Sequence, residues 1–199
     1  MDQILLASRN AKKLTELRRI LAPRLPGLEV LGLDDVPPYS EVPESGATFE
    51  DNALIKAREG QLRTGLPTVA DDSGLAVGAL NGMPGVFSAR WSGRHGDDEA
   101  NLQLLLAQLA DVPDGRLGAA FVCSVAYVDG EREIVADGRM PGRLIREKRG
   151  ANGFGYDPIF VPDGYELTSA ELERDAKDAI SHRGQALRAL AEKLAEPPQ

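Results

Sequence analysis

Apolar residues recur along this chain in two rhythms, alternation or short runs for strands and a spacing of three or four for helices, with prolines and glycines marking the breaks. Ile4, Leu5 and Leu6 make Gln3 to Ala7 a predicted buried strand. Leu14, Leu17, Ile20 and Leu21 then fall at helical spacing, which predicts a helix over Ala11 to Leu21 that Pro23 ends. A second strand is predicted over Leu28 to Leu33, and the three prolines within Asp34 to Gly46 make that stretch a loop. Thr48, with Asp51 three residues on, forms a capping-box-like pair and starts a helix running to about Thr64.

Further along, Thr68 to Asp71 reads as a short strand entering an Asp71-Asp72-Ser73-Gly74 turn, with Leu75 to Val77 resuming the apolar run. Asn81 to Gly85 is a loop, and Asp97 to Leu109 carries the apolar stripe of a surface helix. Ala119 to Val128 is the longest strand, joined by an Asp129-Gly130 hairpin turn to an antiparallel partner over Glu133 to Gly138. Gly150 to Pro158 is a glycine-rich loop, and Ala170 to Ala195 is helical with a break near Ser181. No repeat, low-complexity tract or linker interrupts the 199 residues, so the pattern describes one α/β domain with a mixed β-sheet flanked by helices.

Composition narrows the function. A 42% hydrophobic and 27% charged chain of this length can bury one substantial core. The formal charge of −8 argues against a general nucleic-acid binder, which would present a basic face, while leaving room for a small anion in a local basic pocket. No stretch approaches the roughly 18 apolar residues that span a bilayer, so no membrane partner is expected. The lone Cys123 sits in an apolar run and cannot form an intrachain disulfide, which suits a buried structural thiol in the cytoplasm.

Four segments carry candidate chemistry. Asn10 is placed to cap the first helix, with Lys13 in its first turn, so backbone N–H groups and an ammonium gather where a phosphate can bind. Adjacent Asp71 and Asp72 offer carboxylates for a metal, one facing a substrate and one supporting the loop; the same tetrapeptide also suits a solvated turn. Glu44 precedes a helix on which Asn52 and Lys56, four apart, share a face, joining a metal ligand to phosphate-facing groups unless it is a surface acid beside an exposed helix pair. Gly153-Phe154-Gly155-Tyr156-Asp157-Pro158 combines flexible glycines, two rings and an acid: a platform for a base with Phe154 as its face, or a strand-entry loop whose rings plug the core. Ser181, His182 and Arg183, near a helix start, place donors on a purine edge while Lys177 reaches a phosphate, unless the His-Arg pair is only polar surface.

Together, Ser8 to Glu16, Glu44 to Ala57, Ala70 to Gly74, Pro84-Gly85 with Ser88-Ala89-Arg90, Gly153 to Pro158 and Ser181 to Gly184 resemble, in order and spacing, the inosine triphosphate pyrophosphatase (Ham1/RdgB-like) family. The resemblance covers nearly the whole chain. It implies a long sheet, two lobes around a central cleft, and Mg²⁺-dependent hydrolysis of ITP, dITP and XTP to the monophosphate and pyrophosphate by a homodimer. It also implies Asp72 as catalytic base and metal ligand with Glu44 as a second ligand. Substrate contacts would come from Ser8, Arg9, Asn10, Ala11, Lys12, Lys13, Lys56, Ser73, Phe154, Gly155, Tyr156, Asp157, Lys177, His182 and Arg183. Two departures stand out: the opening motif often reads T-G-N-x-G-K, where this chain has Arg9 and Lys12, and a frequent acid pair is here Pro43-Glu44.

The implied reaction is attack by water on the α-phosphorus, with Lys13, Lys56 and Lys177 stabilising the leaving pyrophosphate and no covalent intermediate. A phosphoaspartate phosphatase would want D-x-D-x-T/S, which adjacent acids do not supply. A non-catalytic nucleotide sensor would gain little from a carboxylate aimed at a polyanion unless a metal intervened.

Overall fold

A computed structural model describes residues 2–195 of the chain. The elements are β1 (Gln3–Leu6), α1 (Ala11–Leu21), β2 (Glu29–Leu31), α2 (Phe49–Thr64), β3 (Thr68–Val77), α3 (Asp98–Gln108), β4 (Gly118–Val128), β5 (Glu133–Leu144), β6 (Phe160–Pro162), α4 (Arg174–Ile180) and α5 (His182–Ala195). The strands form one sheet in the order β2-β1-β3-β4-β5-β6. β1 runs parallel to β2, with Gln3 opposite Glu29, and parallel to β3, with Leu5 opposite Thr68. β5 and β6 are antiparallel, with Leu144 opposite Phe160. The sheet is therefore mixed, because helical crossovers return the chain in the same direction while short connections reverse it.

By internal contacts the chain divides into two compact units, residues 2–72, 123–138 and 183–195 in one and residues 73–122 and 139–182 in the other. In the first unit strand parity sorts the core into two layers. Val69, Cys123, Val125 and Tyr127 pack with Leu17 and Leu21 of α1 and Leu187 and Leu190 of α5. Ala70, Ala126 and Val128, one residue out of phase, pack with Ala53 and Ala57 of α2. Alternation along β3 thus sends Val69 and Asp71 toward α1 and α5, and Ala70 and Asp72 toward α2. The second unit has its own core, built on Leu75, Val77, Leu102, Leu105, Ile159 and Phe160.

α2 begins as expected: the Thr48 side chain accepts from the Asp51 N–H, and the Asp51 carboxylate accepts from the Thr48 N–H. Gly65, at φ 71°, ends it in the left-handed region that glycine adopts without a Cβ clash. The helix break also falls at Ser181, whose extended backbone (φ −61°, ψ 141°) separates α4 from α5.

Three expectations are corrected. Asp71 to Gly74 is no turn: β3 continues through it from Thr68 to Val77, between β1 and β4. Turn-favouring residues yield here to a strand continuous through the sheet, and Gly74 is needed for close approach instead. A Cβ there would run into the Ser88 hydroxyl and the Gly85 carbonyl. That hydroxyl accepts from the Leu75 N–H at 2.8 Å and donates to the Gly85 carbonyl at 2.7 Å. β5 runs on past Gly138 to Leu144, because Gly142 leaves room for β6, whose Val161 carbonyl and Phe160 ring occupy the place of a Cβ. The last helical region starts at Arg174, since Thr168 to Leu172 close a tight turn in which the Glu171 carboxylate accepts from the Thr168 N–H.

Gly74→Ala is expected to destabilise the protein by about 1–3 kcal/mol through overpacking, lowering Tm by roughly 2–12 °C. Gly115→Ala, where a Cβ meets nothing within 4 Å, is the control. Thermal denaturation compares the two, and equal melts would remove the packing role given to Gly74.

Candidate active site

The first loop leaves β1 at Leu6, where the Ala7 N–H bonds the Val69 carbonyl at 2.8 Å. Asn10 sits at the start of α1: its N–H donates to Ser8 Oγ at 3.2 Å, and its Oδ1 accepts from the Lys13 N–H at 3.4 Å. Arg9 is exposed and pairs with exposed Glu41 at 2.7 Å, a contact that water and salt screen. Ala11 is exposed, and the side chain of Lys12 lies outside the described part of the structure. A cavity beside this loop is lined by Arg9, Leu33, Asp34, Val36, Pro38 and Tyr39. Arg9 alone among the candidate residues lines it.

Lys13 turns inward. Its Nζ reaches Asp71 Oδ1 at 2.9 Å and Oδ2 at 2.8 Å, and Arg183 Nε, from the start of α5, reaches Oδ2 at 3.1 Å. Three segments far apart in the chain thus meet on one buried carboxylate. Burial pushes the Asp71 carboxyl upward, but Lys13 and Arg183 outweigh it and hold it well below the usual carboxylate range. Burial likewise opposes the charge on Arg183, and Asp71 more than restores it. Beside them Cys123 is buried, and desolvation together with the charge on Asp71 pushes its thiol up, out of the range in which it would act as a nucleophile.

Asp72 faces the opposite layer. Its Oδ2 accepts from Asn52 Nδ2 at 2.9 Å, and its Oδ1 lies 3.9 Å from Lys56 Nζ. The same ammonium donates to Glu44 Oε1 at 2.6 Å. Glu44 and Asp72, from a proline-rich loop and a central strand, therefore converge on one cation. One ammonium against two carboxylates leaves a formal charge of −1. Around Asp71 two cations, Lys13 and Arg183, meet one carboxylate, and Glu16 also acts on Arg183.

In the second unit the aromatic loop is pinned from several directions. Asp157 Oδ2 accepts from the Phe154 N–H at 3.0 Å and from Lys177 Nζ at 2.6 Å, and the Gly155 N–H donates to Asp98 Oδ2 at 2.9 Å. The Tyr156 ring is buried and its hydroxyl donates to the Ser88 carbonyl at 2.9 Å. Tyr156 thus plugs the core, while the Phe154 ring stays 61% exposed on a fixed pedestal. His182 stacks on Phe121, with ring centroids 5.1 Å apart and planes 15° from parallel. Ser73, half-buried on β3, follows Asp72 directly.

Sequence reasoning did not show how three residues are engaged. Asn52 was visible as a neighbour of Lys56 at helical spacing, but not as a partner of Asp72, 20 residues away. Asp71 gave no sign of which cations it holds, and Asp98 reads only as an acid in the first turn of α3.

A family model described as the Ham1 family matches residues 4–193. The chain belongs to the Ham1 family. Among curated relatives, a protein of Nocardia farcinica named dITP/XTP pyrophosphatase is 64% identical over 98% of this chain and 96% of its own length. One of Corynebacterium glutamicum with the same name is 58% identical over 98% and 97%. A crystal structure from Mycobacterium abscessus, of a nucleoside-triphosphatase or dITP/XTP pyrophosphatase, matches with a TM-score of 0.81 at 64% identity, covering 94% of this chain and 98% of its own. A HAM1 protein from Coxiella burnetii superposes with a TM-score of 0.90 at 42% identity, covering 99% and 100%. These neighbours share the mixed α/β fold described above.

In this Ham1 chain the depressed Asp71 carboxyl contributes stability that is fully present above its unfolded value, near pH ~4, and is lost as pH falls through the folded value. Asp71→Asn removes the carboxylate that Lys13 and Arg183 share, a loss of about 3–5 kcal/mol. A lower Tm is expected at pH 7, with the gap to wild type narrowing below pH ~4. Melts at both pH values test this, and an unchanged Tm at pH 7 would overturn the anchoring role.

Proposed function

We propose that this protein hydrolyses ITP, dITP and XTP to the nucleoside monophosphate and pyrophosphate with the help of Mg²⁺. The observation that carries this reading is the convergence of Glu44 and Asp72 on one cation, in a chain 64% identical to a relative named dITP/XTP pyrophosphatase. The donor set fits the ion. Among the described residues no three His, Cys, Asp or Glu side chains gather as a cage, and two carboxylates completed by substrate phosphates and waters suit Mg²⁺. When bound, the ion would neutralise phosphate charge and lower the pKa of a coordinated water.

The chain's own residues divide the remaining work. Asp72 takes the proton of the water that attacks the α-phosphorus, its Oδ2 held by Asn52. Lys13 and Arg183, aimed by Asp71, bind phosphate oxygens beside the Ser8 and Asn10 loop. Lys56, paired with Glu44, would follow charge onto the leaving pyrophosphate, and Lys177, tied to Asp157, would be the third such group. Phe154 supplies the stacking face for the base. Arg183 thus belongs with the anion rather than with the base edge, which leaves His182 as the base-side candidate. The lone buried thiol of Cys123 supports a cytoplasmic setting, and the family resemblance supports a homodimer, which sedimentation would test.

Phosphorus NMR of ITP hydrolysis should show pyrophosphate and monophosphate in equal amounts, silenced by EDTA and restored by Mg²⁺. Inosine diphosphate or orthophosphate as the first product would reject the mechanism. Asp72→Asn should keep the wild-type melt and lose about 100-fold or more in turnover. Near-normal turnover would remove Asp72 from its role.

Selectivity follows from the base edge. Donors arranged for a 6-oxo group are left unpaired by the 6-amino group of ATP, at about 1–3 kcal/mol per group, so kcat/KM for ITP and XTP should exceed that for ATP by roughly tenfold to a few hundredfold. Equal efficiency on ITP and ATP would leave a generic nucleotide pyrophosphatase.

A further inference from the structure

Asn52 is fully buried on the inner face of α2, and both ends of its amide are engaged. Nδ2 donates to Asp72 Oδ2 at 2.9 Å, and Oδ1 accepts from the Gly46 N–H at 2.8 Å. The orientation is fixed by chemistry, since an amide oxygen cannot face a carboxylate and an amide NH₂ cannot face a backbone N–H. One side chain therefore spans from the central strand to the loop that carries Glu44, two residues before Gly46. Lys56, one turn further along the same helix, reaches Glu44 itself. The bond from Asn52 also distinguishes the two oxygens of Asp72, because it takes Oδ2 and the oxygen 3.9 Å from Lys56 is Oδ1.

The loop is shaped to allow this span. A Cβ on Gly46 would collide with Asp51 Cβ and come within 2.8 Å of Asn52 Oδ1. The Thr48 and Asp51 capping pair fixes the first turn of α2 between the two contacts. Gly46 and Asn52 are thus two handles on one link.

We propose that Asn52 is a positioning residue for the reaction: its amide sets the distance between Asp72 and the Glu44 loop, so that both carboxylates are presented to one divalent cation. This rests on the proposed pyrophosphatase reading. Asn52 touches neither substrate nor water in this role and acts through Asp72. Its loss should therefore weaken the cation site and the chemical step, while phosphate binding by Lys13 and Arg183 persists.

The test uses the whole protein with Asn52→Ala, Gly46→Ala and the double variant. Binding of Mn²⁺ alone is read by electron paramagnetic resonance without nucleotide, alongside kcat and KM for ITP and the melt of each variant. Expected for each single variant are Mn²⁺ affinity and kcat lower by about 10- to 100-fold, with KM for ITP within roughly threefold. The double variant should be no worse than the poorer single, because both cut the same link. Gly46→Ala retains Asn52, so it answers the question even where Asn52→Ala folds poorly. Mn²⁺ affinity within about twofold of wild type in folded variants, or losses that multiply in the double variant, would overturn the positioning role while wild-type ITP hydrolysis stands. A wild type that neither binds Mn²⁺ nor cleaves ITP would remove the pyrophosphatase reading, and this role with it.

Discussion

A carboxylate buried at the centre of a sheet must be neutralised or it will not stay there. In this protein Asp71 is that group, and Lys13 and Arg183 are its answer. The pairing dictates the direction of α1 as it leaves β1, since Lys13 must turn inward from its first turn. It also dictates where α5 begins, since Arg183 stands at its second residue. An arrangement forced by desolvation thereby orients two cations on one buried carboxylate.

Two adjacent acids on β3 serve opposite sides because a strand alternates. Asp71 joins the layer built by α1 and α5, whereas Asp72 joins the layer built by α2, where an amide and an ammonium receive it. Cation-rich and anion-rich constellations therefore sit back to back on consecutive residues. The aromatic loop of the second unit is built by a different rule. There the carboxylate of Asp157 is spent on backbone N–H and Lys177, and that outlay keeps the Phe154 ring exposed and steady.

Local signals made much of this legible. The apolar spacing of α1, the capping pair of α2 and the break at Ser181 each depend on residues within one turn of one another, and each matches the structure. The Asp71 to Gly74 stretch did not, because turn preference is a local property and strand pairing within a sheet is not. The strand expected to stop at Gly138 runs on to Leu144 for the same reason, since the missing side chain of Gly142 admits β6. Within the site, Glu44, Lys56 and Asp72 could be picked out by type and spacing, but their meeting on one cation could not. Nor could the bond from Asn52 to Asp72, or that from Gly155 to Asp98 across 57 residues.

The partners of Asp71 lie 58 residues before it and 112 after it in the chain. A ribosome releases these segments in order, so the buried acid emerges long before the guanidinium that completes its neutralisation. Until α5 has been synthesised and has docked, the N-terminal segments hold a carboxylate with one cation where the finished fold supplies two. Lys13 and Arg183 can be locked together on Asp71 only once α5 has emerged, and a truncated chain lacking α5 would hold Lys13 and Asp71 without the guanidinium that completes the cluster.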